Sequence, residues 1–196
     1  MYTKYHTEGL VLKSFNLGEA DRAYHIFTRD LGLVYAKAQS VRELKSKLRP
    51  NLQELSHGAF SLVRARDVWR VTHADAEAHF FSELSGDSVR MDMVRRVLKL
   101  LRRLLPQEEP YAVLYQSVVH GLLFLVRYPL RGAELENFEV LLVLRILNQL
   151  GYLGGSGAFG YVLAAPHIND MHVAEVGRVR HRAVYEINRA LRSVDL

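Results

Sequence analysis

Hydrophobic and polar positions change their period once along this chain, near Ala76. Before that point the apolar residues come in short alternating runs at 9–13, 23–28, 33–38, 60–64 and 68–73. Period-two alternation predicts strands with one buried face. Asn16-Leu17-Gly18-Glu19 and Arg29-Asp30-Leu31-Gly32 have turn chemistry, and Ala65-Arg66-Asp67 separates the last two runs as a hairpin. Five strands in the first 75 or so residues, with no long helix between them, predict a small closed barrel or sandwich. The five-stranded oligonucleotide-binding (OB) barrel fits that count.

Beyond Ala76 the period lengthens. Val94, Val97, Leu98, Leu101, Leu104 and Leu105 recur at helical spacing over 91–105, with Asp92, Arg95, Lys99, Arg102 and Arg103 on the other face. Pro106 and Pro110 bracket a short connection. Residues 111–126 are apolar nearly all round, which predicts a central helix. That run contains Gln116, Ser117 and His120 and falls short of the roughly 20 residues a membrane span needs, so a buried helix is expected. A further helix over 134–150 ends at Gly151 as its cap. Residues 154–170 are glycine-rich and read as a loop, and Val176, Val179, Ala183, Val184, Ile187 and Leu191 support a last helix. The expected organisation is α+β in two domains: a barrel over 1–78 and an all-α domain over 79–196.

Composition narrows the chemistry. There is no cysteine, which excludes thiolate metal sites, disulfides and cysteine nucleophiles and fits a cytosolic home. The N-terminus lacks the apolar core of a signal peptide. The net charge is +5, and the surplus is uneven: residues 1–78 carry twelve Lys/Arg against nine Asp/Glu, whereas residues 131–196 carry seven of each. Five cations, Lys37, Arg42, Lys45, Lys47 and Arg49, fall within 37–49 beside the single acid Glu43. A mobile loop of this charge beside a small sheet can neutralise phosphates. Tyr35 and Lys37, two apart on one strand, share a face, so a ring can stack a base while the ammonium pairs its phosphate. Lys13 on the first strand and Arg64 and Arg66 on the later hairpin extend the candidate track. An ordinary solvated basic surface has the same charge sum, so that reading stays open. Tyr24, Phe60 and Trp69 are expected in the barrel interior.

Other patterns carry less. Residues 155–160 match G-x-G-x-x-G, but the match follows a helix with no βαβ pattern around it, so a plain loop is expected. The nine histidines form no metal-binding spacing; His167 and His172 lie five apart without a carboxylate partner, and His120 reads as a hydrogen-bonded core residue. No nucleophile motif stands out. Glu19 and Asp21 are explained by turn chemistry and a salt bridge to Arg22. The stripe Arg95, Lys99, Arg102 and Arg103 is the solvated side of a helix, a surface for an acidic partner, or a continuation of the nucleic-acid track.

Taken together, several of these runs resemble the RecO family of bacterial recombination mediators. The resemblance rests on Gly9-Leu10-Val11-Leu12-Lys13, Gly18-Glu19-Ala20-Asp21-Arg22, Phe27-Thr28-Arg29-Asp30-Leu31-Gly32, Ala36-Lys37, Lys45-Ser46-Lys47-Leu48-Arg49 and Leu52-Gln53. Residues 138–153 and 184–191 resemble the family's last two helices. The resemblance implies an N-terminal OB domain, a helical C-terminal domain, and a non-enzymatic, cytoplasmic, nucleoid-associated role. It implies binding of single- and double-stranded DNA and annealing of complementary strands. Its implied partners are RecR and the tail of single-stranded-DNA-binding protein, and its implied task is loading of the recombinase RecA. Many members carry a four-cysteine zinc site where this chain has the cysteine-free stretch 154–172, so no zinc and no other cofactor is expected. Ala38 stands where the family usually has glycine, and the chain is short for the family. Two further classes remain: an interaction scaffold whose barrel does not bind nucleic acid, and, opposed by missing phosphate motifs, a nucleotide-dependent enzyme.

Overall fold

The computed structural model describes residues 3–66, 68–154, 159–164 and 167–194. They form β1 (Lys4–Leu17), β2 (Asp21–Thr28), β3 (Gly32–Ala38), β4 (Ser56–Ala65) and β5 (Val68–His79), followed by six helices. The helices are α1 (Phe80–Leu84), α2 (Ser88–Leu104), α3 (Ala112–Arg127), α4 (Gly132–Gln149), α5 (Gly160–Ala164) and α6 (Asp170–Arg192). The strands close in the order β1-β2-β3-β5-β4, the OB-barrel order. Every ladder is antiparallel except the short β3–β5 contact, which pairs Ala36 with Trp69 and Lys37 with Arg70. Closure leaves no long strand edge exposed.

The alternation seen in the sequence sorts side chains between the two faces. Val11, Tyr24, Ile26, Val34, Ala36, Phe60, Leu62, Trp69 and Val71 fill the interior. β1 is longer than its sequence signal because it bends and pairs with both β2 and β4. A register shift between Val11 and Lys13 marks the bend. Gly9 lies at the crossing of these ladders, where a Cβ would sit 2.9 Å from both Ile26 and Phe60.

The stretch between β3 and β4 corrects one expectation. Read from the sequence as an open loop, it is a series of turns anchored by buried apolar side chains. Val41 and Leu52 are buried, and Leu48 packs half-buried against the barrel core. Successive hydrogen bonds tie Glu43 N to Ser40 O, Ser46 N to Glu43 O and Arg49 N to Ser46 O. Apolar anchors thus hold the basic residues outward.

The chain divides into two compact units: 1–86 with 105–112, and 87–104 with 113–196. The stretch 105–112, which the sequence reading assigned to the helical domain, belongs with the barrel. Leu33 bridges Gln107, and Glu108 N donates to Leu33 O at 3.0 Å. In the other unit α4 packs against α6 and α2. α4 ends in a Schellman turn in which Gly151, at φ +78°, lets Tyr152 N reach Leu147 O at 2.8 Å. The region expected to be a loop contains the one-turn helix α5, because Phe159, Val162 and Leu163 bury themselves at helical spacing. Among the described residues no helix is long and apolar enough to cross a membrane.

Arg145 fastens α5 to α4. It is buried, with Nε donating to Val162 O at 3.0 Å and Nη2 to His167 O at 3.2 Å. Burial pulls its pKa down to about 10, so it remains a cation at neutral pH. Arg145→Met leaves both carbonyls without these donors. It is expected to lower unfolding free energy by about 3 kcal/mol, read from denaturant titration.

Two histidines make stability pH-dependent. Burial holds His57 below its ordinary pKa against the opposing charges of Glu77 and Glu8, and burial plus the charge of Arg145 does the same to His172. The unfolded chain therefore takes up these protons at higher pH than the folded one. Stability is expected to fall as pH drops through about 6.5. A thermal midpoint lower at pH 5.5 than at 7.5, with the difference reduced in His57→Gln, is the expected result.

Candidate nucleic-acid interface

Strand register places a row of rings on the outside of the barrel. Lys13 pairs with His25, and His25 with Tyr35; two residues along, Phe15 pairs with Ala23, and Ala23 with Lys37. Their neighbours Tyr24, Ile26, Val34 and Ala36 point inward, so these residues take the opposite face. The Phe15 and His25 rings meet edge-on at 5.2 Å, and the His25 and Tyr35 rings at 5.4 Å. Phe15 and Tyr35 are each 37% exposed. An aromatic band therefore crosses three strands, with Lys13 near one end and Lys37 near the other.

The cations at the two ends differ. Lys13 Nζ lies 3.1 Å from Glu54, which also accepts from the Ser14 backbone N–H at 3.0 Å. Burial alone would raise the Glu54 pKa; bonds from Ser14 and Lys13 outweigh it and hold the carboxylate low. Lys13 is thus engaged. Lys37 forms no ion pair among the described residues and lies beside Arg70 through the β3–β5 contact. Arg66, at φ +56° in the β4–β5 turn, joins them around a hollow of about 490 Å³ with Gln39 on its wall. A second hollow, of about 290 Å³, shares Lys37, Gln39, Ala65 and Arg70 and is walled by Leu48. Among the described residues the one carboxylate lining the larger hollow, Asp21, accepts a 2.8 Å hydrogen bond from Ser40 N. Among the described residues, three clustered cations with one lining carboxylate between them form a surface that can receive phosphate oxygens.

The remaining candidates fall elsewhere. Arg64 pairs with Glu108 at 2.8 Å and lies 5.4 Å over the Trp69 ring, whose Nε1 donates to the same carboxylate at 3.0 Å. It is locked to the stretch 105–112 and does not join the Lys37 cluster. Arg42 braces the β1–β2 turn by donating to Gly18 O at 2.9 Å. Lys45, Lys47 and Arg49 are exposed on the anchored turns, with Lys45 3.9 Å from Glu43. Tyr24, Phe60 and Trp69 are core residues, as expected. Phe15, His25 and Arg70 were missed by the sequence reading. Phe15 stands two residues from Lys13 and His25 faces it across the hairpin, so their common side was readable from register.

In the helical unit Arg95 pairs with Asp92 at 2.9 Å, while Lys99 and Arg103 are exposed and Arg102 is half-buried. The apolar residues of α2 and α4, among them Val94, Leu98, Phe138 and Leu142, are buried. His172 is used in the α6 cap, its Nδ1 accepting from Asn169 N at 3.3 Å. His120 stacks on His167 at 4.3 Å. Among the described residues no three His, Asp or Glu side chains gather as metal ligands. Residues 155–158 of the G-x-G-x-x-G match lie outside the described residues. The match stands between α4 and the five-residue α5, so a helix and not a strand leads into it.

Comparison with known proteins agrees with this architecture. Residues 1–80 match the family model described as "Recombination protein O N terminal". The chain is 34% identical over 148 residues to the DNA repair protein RecO of Heliobacterium modesticaldum, covering 76% of this chain and 52% of that one. It is 29% identical over 149 residues to the RecO of Acetivibrio thermocellus (74% and 57%), and 29% over 150 residues to that of Thermodesulfovibrio yellowstonii (76% and 58%). The chain thus spans a little over half the length of these curated relatives.

Proposed function

We propose, from the match of residues 1–80 to the RecO N-terminal model and the likeness to RecO proteins over three quarters of the chain, that this is a RecO-family protein and a non-enzymatic DNA-binding mediator of recombinational repair. The observation that carries this reading is the cluster Lys37, Arg66 and Arg70 beside the Phe15–His25–Tyr35 band. Cations take successive phosphates and rings take base faces, a combination that tolerates any sequence. Two complementary strands repel one another as polyanions. A surface that neutralises phosphate lowers that repulsion and concentrates the strands, and base pairing then supplies the specificity. No bond is made or broken, so no catalytic residue is needed. The same logic extends to duplex DNA, whose phosphates are more densely spaced.

The partners proposed with this role are RecR and the tail of single-stranded-DNA-binding protein, and the proposed task is to help load the recombinase RecA. For an acidic tail the helical unit offers Lys99 and Arg103 as exposed cations, beside Arg95 and Arg102 on the same helix. Binding of a labelled oligonucleotide at two salt concentrations, followed by the annealing rate of a complementary pair, tests the proposal. Salt-dependent binding and faster annealing are expected. Binding of neither single nor double strands at low salt would leave the scaffold reading, in which the barrel holds a protein.

A further inference from the structure

The longest helix of the molecule has an outward face that helix stability does not explain. α6 buries Val173, Val176, Ala183, Ile187 and Ala190. Directly opposite lie Arg178, Arg182, Tyr185, Arg189 and Arg192, at successive spacings of four, three, four and three residues, all exposed. They fall within one narrow arc, since 3.6 residues make a turn, and run for about 21 Å along the axis. A face selected only for solubility and helix stability interleaves acids with bases at these spacings, because like charges three or four apart destabilise. Here the centre of the face carries no acid. Glu175 and Glu186 stand at its flanks and pair with Arg178 at 2.8 Å and Arg189 at 3.2 Å. Such exposed pairs are weak and exchange readily for phosphate. Arg182 and Arg192 form no ion pair among the described residues.

Tyr185 occupies the widest gap between arginines and is 62% exposed. Beside it is a hollow of about 570 Å³ lined by Arg180, His181, Val184 and Asn188. Its apolar wall can receive the flat face of a base, and its imidazole and amide can meet a base edge. A straight row of cations broken by one exposed ring matches a strand that alternates phosphates and bases. We propose that this face of α6 is a second contact for single-stranded nucleic acid, with phosphates on Arg178, Arg182, Arg189 and Arg192 and a base against Tyr185. The inference rests on the strand-binding reading above and assigns it a site apart from the barrel cluster.

The test uses the full chain carrying Arg182→Gln, Arg189→Gln and Arg192→Gln together, changes that keep good helix formers. The log-affinity versus log-salt slope for a fluorescent oligothymidylate should become shallower by about two, at roughly 0.7 per lost contact, and annealing should slow by about tenfold or more. Tyr185→Ala alone should weaken binding several-fold with the slope unchanged, and decides the matter if circular dichroism shows the triple variant to have lost helix. Unchanged binding and annealing in these variants, while Lys37, Arg66 and Arg70 replacements still lose binding, overturns the α6 contact and leaves the barrel reading standing. Loss with neither set overturns both. Loss of binding to an acidic peptide, with oligonucleotide binding intact, assigns the face to a protein partner and overturns the proposal.

Discussion

Replacing Lys37, Arg66 and Arg70 together with alanine is expected to weaken single-strand binding about a hundredfold at 0.1 M salt. Each phosphate contact on a single strand contributes a salt slope of roughly 0.7, so three contacts change log affinity by about two when the salt is one decade below molar. The same three lost contacts should flatten the slope by about two. Lys37 and Arg70 are neighbours on β3 and β5, and Arg66 lines the same hollow. Lys13 offers a control. Its ammonium lies against Glu54, so Lys13→Ala should change the slope by less than one contact. Filter binding across a salt series measures both. A triple variant with the parent's slope removes the barrel cluster from the interface.

The second large effect is expected from the rings. Tyr35→Ala and Phe15→Ala should each cost about 1–3 kcal/mol of oligonucleotide affinity, the usual range for losing one stacked base. Unlike the charge variants, these should weaken binding equally at all salt concentrations, because stacking releases no counterions. Both side chains are more than a third exposed, so the barrel interior stays filled when they are shortened. Loss of affinity that disappears at high salt would contradict a stacking role for the band.

Much of the barrel was legible because hairpins are local. The runs 23–28 and 33–38 differ from β2 and β3 by only a residue or two at their starts, since alternation and the Arg29–Gly32 turn act over a few positions. The adjacency of Lys37 and Arg70 was not legible, because it depends on a parallel contact between strands far apart in sequence. The turns between β3 and β4 show a different failure. Their apolar anchors Val41, Leu48 and Leu52 were visible, but the charges around them dominated the reading. Arg64 was placed on the correct strand, yet its partner Glu108 arrives from the stretch after α2. α5 escaped because a single turn following a glycine-rich run carries too little periodicity.

The grip of Arg145 on Val162 and His167 sets what this part of the chain can withstand. Thiolates around a zinc ion would make it answer to peroxide, to competing metals and to the supply of zinc. A guanidinium clasping carbonyl oxygens answers to none of these, and this chain has no sulfhydryl anywhere to oxidise. The clasp itself thus contains no group that peroxide oxidises. In the proposed role, oxidative stress that breaks DNA would leave this clasp closed while the breaks are mended.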